Sequence, residues 1–389
     1  MLKCNKIGSD ILNNYQLTWS GIMHDNQGYS TSARGYVFGL DSIGVDVKIK
    51  PLNYGTKPVK INKDEYVKLL ELSRKPYNLD KKQILVVHVQ PWGLNYKMER
   101  LRYEKVINQV VFEPEPIHNE WISIMNELDS IWVPSTHNKD IFVKSGIEKP
   151  IYIIPHGVDF SKFKPEGDKA DLGLEDDYFV FLSIGTFSYR KAFPELLNAF
   201  WEEFSADDKV CLVIKTHSMA GEPGEELLNR IKKYKAEMTK GKLIAPVIFQ
   251  FDQITNEELN TLYRACDCYV LPTRGEGVGL PYMEAMACGK PCIATNWGGQ
   301  TDFITNENGL LLNYNMKPVD MKVPDCRQYF KEYMRLAEPD LSHLKELMRY
   351  AYNHREEMKQ KGKRAYNDIQ KWTWENSAKK IVEALSEIL

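Results

Sequence analysis

Glu276 and Glu284 stand with seven residues between them, on either side of the glycine-containing run Gly277-Val278-Gly279-Leu280. That run follows the apolar stretch Cys268–Leu271 and leads to Pro281, a residue suited to the first helical position because its missing N–H is not needed there. Glycines let a backbone approach a ligand closely. Unpaired N–H groups at a helix start favour an anion or a ring of hydroxyls. Two carboxylates beside them can hold vicinal hydroxyls, as in a sugar and a ribose, through charge-assisted hydrogen bonds. Two glutamates at this spacing are ordinarily solvated. The setting argues otherwise, because open α/β sheets bind ligands where strands end and helices begin.

A second constellation, Gly185-Thr186-Phe187-Ser188-Tyr189-Arg190-Lys191-Ala192, follows the apolar run Phe179–Ile184 and precedes a helix expected from Pro194. Arg190 as a planar fork and Lys191 as a point charge suit a diphosphate. Taken alone, such a pair is more often solvated. A third, His24-Asp25-Asn26-Gln27-Gly28-Tyr29-Ser30, opens a helical stretch reaching about Leu40. Gly28 there would let a helix start approach an anion, although one glycine is a weak signal.

These residues need strands that end at them. Strands are expected at Val45–Ile49, Ile84–Val89, Ser130–Pro134 and Ile151–Ile154 in the first half. In the second half they are expected at Phe179–Ile184, Val210–Lys215, Val247–Phe251, Cys268–Leu271 and Pro291–Ala294. Helical patterns such as Pro194–Phe204, Glu225–Met238 and Glu257–Cys266 lie between them, which is the signature of βαβ units and parallel sheets. Most runs are apolar throughout and suit strands buried on both faces; Val45–Ile49 alternates and suits a half-exposed one. Gly and Pro punctuate the chain from Pro155-His156-Gly157 to Gly167-Asp168, as in a linker. The expected domains are residues 1–160 and 161–365. Residues 366–389 are expected to form a C-terminal helix with Ile381, Ala384, Leu385 and Ile388 on one face; the sequence alone does not say which domain it covers, and packing back on the first domain is one option.

The chain has 389 residues, with 51 Lys+Arg against 53 Asp+Glu. Its net charge of −2 gives no overall basic footprint, which argues against a dedicated nucleic-acid binder. No apolar run approaches the ~20 residues of a membrane span, and the start MLKCNKIGSDILNN reads as no secretory signal. Seven cysteines (Cys4, Cys211, Cys266, Cys268, Cys288, Cys292 and Cys326) include no CxxC pair and sit mostly in apolar stretches. Reduced thiols in a cytosolic protein are expected.

At these motifs the chain resembles the retaining glycosyltransferases of the GT-B type, in family 4 (glycosyl transferases group 1). Glu276 and Glu284 match that family's E-x7-E motif, and EAMACGKPCIAT follows its usual continuation. IYIIPHGVD at the linker, SIWVPS at Ser130–Ser135 and EELNTLYRACDCYVLPT at Glu257–Thr273 extend the resemblance. It is strong from about 130 to 312 and weak in the first 80 residues. It implies two Rossmann-like domains facing a cleft, the first for the acceptor and the second for a nucleotide-diphosphate sugar. It further implies that Lys191 binds phosphate with Arg190 as helper, and that Glu284 takes the ribose hydroxyls. Glu276, with the amides of Gly277, Val278, Gly279 and Leu280, would hold the donor sugar. Gln250, Phe251 and Asp252 fall at the family's nucleobase contacts. The family often has an Arg where this chain has Thr186, so the diphosphate grip would rest on Arg190 and Lys191.

Members of the family retain the anomeric configuration by same-face attack, with a donor phosphate oxygen drawing the acceptor proton. The protein's part would be positioning and stabilisation of the leaving group. No metal or other cofactor is expected, since the matching place holds no DxD-type carboxylate pair. On the acceptor side, His88 resembles a histidine often found after this strand in the family, and Glu113 is a loop acid. Trp92, Trp121 and Trp132 are candidates to stack on sugars, though large aromatics are more often core. The expected activity is transfer from a UDP- or GDP-sugar to a glycan, lipid-linked or small-molecule acceptor. A GT-B phosphorylase or sucrose-type synthase, and a non-catalytic two-domain sugar-binding protein, are the alternatives. Peripheral contact with the inner face of a membrane would suit a lipid-linked acceptor, but in the basic stretch Lys57–Lys82 acids interleave, as on a solvated face.

Overall fold

The computed structural model describes residues 12–25, 27–52, 62–92, 96–218 and 223–389, so Cys4, Asn26 and residues 57–61 of the basic stretch lie outside it. The chain divides into two compact units. One comprises Met1–Phe112, Pro116–Gly157 and Lys371–Leu389; the other comprises Glu113–Glu115 and Val158–Gln370.

In the first unit six parallel strands run in the order β2-β1-β3-β4-β5-β6. They are β1 (Tyr15–Gly21), β2 (Val47–Pro51), β3 (Lys82–His88), β4 (Lys105–Gln109), β5 (Ser130–Val133) and β6 (Ile151–Ile153). Neither β1 nor β4 is expected from apolar runs, because their buried faces carry polar residues. Gln16 is 1% exposed, and it is satisfied by donating to Pro76 O at 3.2 Å and accepting from Asn78 N at 2.9 Å. Asn108 on β4 donates to Val87 O and Val89 O at 2.8 and 3.0 Å. Gln16 is thus satisfied on both sides of its amide, whereas Asn108 Oδ1 is buried with no partner among the described residues. The alternation read in Val45–Ile49 also fails, because Lys48 is buried with its ammonium 3.8 Å over the centre of the Tyr77 ring.

The C-terminal helix Trp374–Ile388 packs on the helix Gly28–Ser42 in this unit, burying Ala378, Ile381, Ala384 and Leu385. Close approach is what makes the seat possible. A Cβ on Gly35 or Gly157 would fall inside the Trp374 ring or backbone, and one on Gly39 would lie 2.5 Å from Trp374 O.

The second unit repeats the plan, with six parallel strands in the order β12-β11-β10-β7-β8-β9. These are β7 (Phe179–Phe187), β8 (Val210–Ser218), β9 (Val247–Gln250), β10 (Cys268–Leu271), β11 (Cys292–Thr295) and β12 (Leu310–Leu312). Strands β7 and β8 outrun their apolar stretches by three residues each, because Gly185, Thr186 and Phe187 pair with Thr216, His217 and Ser218. An antiparallel hairpin, β13 (Tyr314–Pro318) and β14 (Arg335–Pro339), was not expected from the sequence, and neither was the three-residue β12. Among the described residues no helix is long and apolar enough to cross a membrane.

Candidate functional site

In the second unit the strand ends carry the site. After β7 a turn brings Lys191 N to Ser188 O and Ala192 N to Tyr189 O, each at 3.2 Å. Ala192 then enters the left-handed region at φ 54 and caps the helix Phe193–Glu203, one residue earlier than expected from Pro194. A non-glycine residue held in that conformation is typical of a constrained site. The turn points both cations at one carboxylate. Lys191 Nζ donates to Glu276 Oε1 at 2.5 Å, and Arg190 Nη1 lies 3.1 Å from the same oxygen. Arg190 Nη1 also donates to Gly275 O at 2.6 Å and pairs with Glu113 at 3.4 Å.

Glu276 is 6% exposed and Lys191 8%. Burial alone would raise the Glu276 pKa, but Lys191 and Arg190 outweigh it and hold the carboxyl below its usual range. For Lys191 burial wins and lowers the pKa, the attraction of Glu276 offsetting it only in part. Burial also opposes the charge of Arg190, and Glu113 and Glu276 more than compensate, leaving its pKa raised. Two cations and two anions thus neutralise one another inside the unit. An incoming diphosphate would supply the charge that the glutamates now supply.

The glycine loop has the shape its sequence suggests. Gly279 adopts φ 89 and caps the helix Leu280–Ala287, and a Cβ there would lie 2.5 Å from the Tyr282 ring. Its start is fixed from outside, with Gly299 N donating to Glu276 O at 2.8 Å. Val278 is buried and Leu280 half-buried. Glu284, one turn into the helix, accepts from the Tyr263 hydroxyl at 2.7 Å. Burial pushes its pKa up to about 7 against the opposing pull of Tyr263 and Lys162. Glu276 and Glu284 therefore differ sharply, one held ionised and the other poised near neutrality.

Gln250 ends β9 beside Lys215 of β8, and its Oε1 is buried with no partner among the described residues. Phe251 stacks on Phe249, ring centres 6.0 Å apart, and packs against Gly224 at the start of the helix Gly224–Thr239. Asp252 is exposed, and its charge partly offsets the burial that lowers the Lys215 pKa. Thr186, paired in register with His217, places its Oγ1 3.1 Å from His217 Nε2.

His88 and Gly28 lie in the first unit. His88 is fully buried among the rings of Trp19, Tyr29 and Tyr36, with Nε2 3.5 Å from Ser32 Oγ. Burial, then the neighbouring His156, hold its pKa well below the usual histidine value. Gly28 is exposed, and a Cβ on it would touch nothing within 4 Å, so packing does not require glycine there. Trp121 and Trp132 are core residues, while Trp92 is 40% exposed. Residues that sequence reasoning missed are Tyr263, which holds Glu284, and Arg274, which holds the turn carrying the cations. Arg274 stands two residues before Glu276, and that adjacency was the available signal. Among the described residues no group of three or more His, Cys, Asp or Glu is placed to hold a metal ion.

Comparison with known proteins adds three findings. Residues 165–320 match the family described as Glycosyl transferases group 1. Over 210 residues the chain is 30% identical to the UDP-Gal:alpha-D-GlcNAc-diphosphoundecaprenol alpha-1,3-galactosyltransferase of Escherichia coli, covering 50% of this chain and 51% of that one. Over 178 residues it is 28% identical to the alpha-monoglucosyldiacylglycerol synthase of Streptococcus pneumoniae, covering 44% and 38%. The chain thus spans about half the length of these relatives or less. Among solved structures, sucrose-phosphate synthase from Thermosynechococcus elongatus matches with a TM-score of 0.69 at 18% identity, covering 96% of this chain and 99% of that one. Anabaena HepE in complex with UDP and glucose matches with a TM-score of 0.64 at 13% identity, covering 96% and 99%. At such identities the structures speak for the fold, and the fold is GT-B.

Proposed function

We propose that the chain, whose residues 165–320 match the Glycosyl transferases group 1 family, is a retaining glycosyltransferase using a nucleotide-diphosphate sugar. The observation that carries the reading is the convergence of Arg190 and Lys191 on Glu276, beside a glycine loop that opens a helix. In this reading Arg190 and Lys191 bind the diphosphate and take up the charge that develops as it leaves. Glu284 binds the ribose hydroxyls, and Glu276 with the amides of Gly277 to Leu280 holds the donor sugar. Gln250, Phe251 and Asp252 meet the base, Gly28 is read as a donor-binding residue, and His88 and Glu113 are read as acceptor-side residues.

The acceptor hydroxyl attacks the anomeric carbon on the face the diphosphate leaves. The bond from that carbon to the diphosphate oxygen breaks, and the acceptor proton passes to a donor phosphate oxygen. Electrostatic preorganisation by fixed cations is worth most in a buried site such as this one. Arg190 and Lys191 supply that charge here, so a metal ion is not part of the reading. The donor is a UDP- or GDP-sugar. The acceptor is a glycan, a lipid-linked molecule or a small molecule: the relatives include a diphosphoundecaprenol galactosyltransferase, a monoglucosyldiacylglycerol synthase and D-inositol 3-phosphate glycosyltransferases.

Calorimetric titration of UDP, GDP and ADP without added metal, into wild type and Glu284→Ala, tests the reading. Tight binding of one nucleotide, weakened by the substitution, is the expected result. Absence of binding by all three to folded protein would overturn it, and the phosphorylase or sugar-binding alternatives would take its place.

A further inference from the structure

We propose that Arg274 is a positioning residue for the diphosphate grip, holding the turn that carries Arg190 and Lys191 in register with Glu276; this rests on the function proposed above. The Arg274 side chain is 4% exposed and meets four groups from three separate segments. Its fork donates to Glu338 on β14 through Nε at 2.7 Å and Nη2 at 2.9 Å. Nη2 also reaches Glu195, in the first turn of the helix Phe193–Glu203, at 2.6 Å. Nη1 donates to Tyr189 O at 2.6 Å, and the guanidinium lies 4.0 Å over the Tyr189 ring.

The main chain completes the tie. Arg274 N donates to Arg190 O at 2.7 Å, and Thr273 Oγ1 donates to the same carbonyl at 3.0 Å. In return Arg190 Nη1 donates to Gly275 O. The two loops that would grip the donor are therefore joined on both sides of Arg274. Strand β14 supports this assembly a second time: Arg335 exchanges two backbone bonds with Glu115, at 2.7 and 3.2 Å, and Glu113, two residues earlier, pairs with Arg190. A planar five-donor fork can satisfy two carboxylates and a carbonyl at once, which an ammonium cannot do in the same geometry. Displacement of a reacting group by about 1 Å can cost about a hundredfold, so a residue that fixes such a turn acts without touching the ligand.

The test compares wild type, Arg274→Met, Arg274→Lys and Glu338→Gln, each titrated with UDP, UMP, GDP and GMP. The readout is the ratio of monophosphate Kd to diphosphate Kd for the base that the wild type binds. Loss of register should cut that ratio about tenfold or more in Arg274→Met, with the monophosphate Kd little changed. Glu338→Gln should cut it less, and Arg274→Lys should not restore it. Equal weakening of both ligands, or an unchanged ratio in folded variants, would overturn the proposal. Should Arg274→Met fail to fold by circular dichroism, Glu338→Gln alone decides. A wild type that binds no diphosphate more tightly than its monophosphate overturns the functional reading and this proposal with it, whereas a normal wild-type preference kept by the variants overturns only this proposal.

Discussion

The Tyr263 hydroxyl, on a side chain with no exposed surface, donates to Glu284 Oε2 at 2.7 Å and holds a carboxyl group whose pKa burial has pushed up to about 7. Ribose hydroxyls donate to an ionised carboxylate more strongly than to a neutral acid. Nucleotide affinity should therefore rise as pH climbs through about 7 and then level off. Tyr263→Phe removes a bond that favours the ionised form, so the midpoint moves upward; Glu284→Gln flattens the profile. Calorimetry from pH 5.5 to 8.5 checks both, and a flat wild-type profile would contradict the role given to Glu284.

What the sequence made legible follows from how each element is stabilised. Strands with apolar residues on both faces, such as β10 and β5, were readable because burial alone explains them. Strand β1 was not, because Gln16 gains its place from partners at Asp46, Pro76 and Asn78, which no local pattern announces. The extension of β7 through Gly185–Phe187 depends on pairing with β8 rather than on its own composition. At the site, the acids and cations were legible as types and spacings. Their convergence on Glu276 was not, because 85 residues separate Lys191 from it and only the fold closes that distance. Arg274 read as a loop residue because its carboxylate partners lie 64 and 79 residues away.

The Lys191–Glu276 pair lies inside the unit, so removing one member strands the other. A buried charge left without its partner typically costs about 3–5 kcal/mol. Lys191→Met should lower the unfolding midpoint more than the double variant Lys191→Met with Glu276→Gln. Arg190 remains beside Glu276 in the single variant, which places the loss at the lower end of that range. Urea unfolding of both singles and the double closes the cycle. Additive losses would mean that the two side chains do not interact.

Gly39 sits against the C-terminal helix, with the Trp374 carbonyl oxygen 2.5 Å from the place a Cβ would occupy. Gly39→Ala must push the helix Trp374–Ile388 outward or bend its own helix. Overpacking of this kind costs about 1–3 kcal/mol. The expected outcome is a lower melting temperature together with a changed tryptophan emission spectrum from Trp374. Gly28→Ala, at an exposed position with nothing within 4 Å, should leave both unchanged.

His88 and His156 are both buried in the first unit, and burial is the main cause that lowers each pKa, to about 3 for His156. The folded chain keeps both neutral in a range where the unfolded chain takes up protons below about 6.5. For His156, stability from this source is complete above pH 6.5 and is lost as pH falls toward 3, by about 1.4 kcal/mol per pH unit, and His88 acts in the same direction. Glu284 works in the opposite sense. Its raised pKa stabilises the fold most below its ordinary value of 4.5, and that contribution is lost as pH rises through about 7. Burial lowers the pKa of His217 as well, so three histidines against one glutamate leave a net loss on acidification between pH 6.5 and 4.5. Urea midpoints at pH 7.5, 6 and 5 should fall accordingly, and His156→Gln should flatten the slope. A slope unchanged by His156→Gln would show that the ring is protonated in the folded chain, against its burial beside Tyr36 and Trp374.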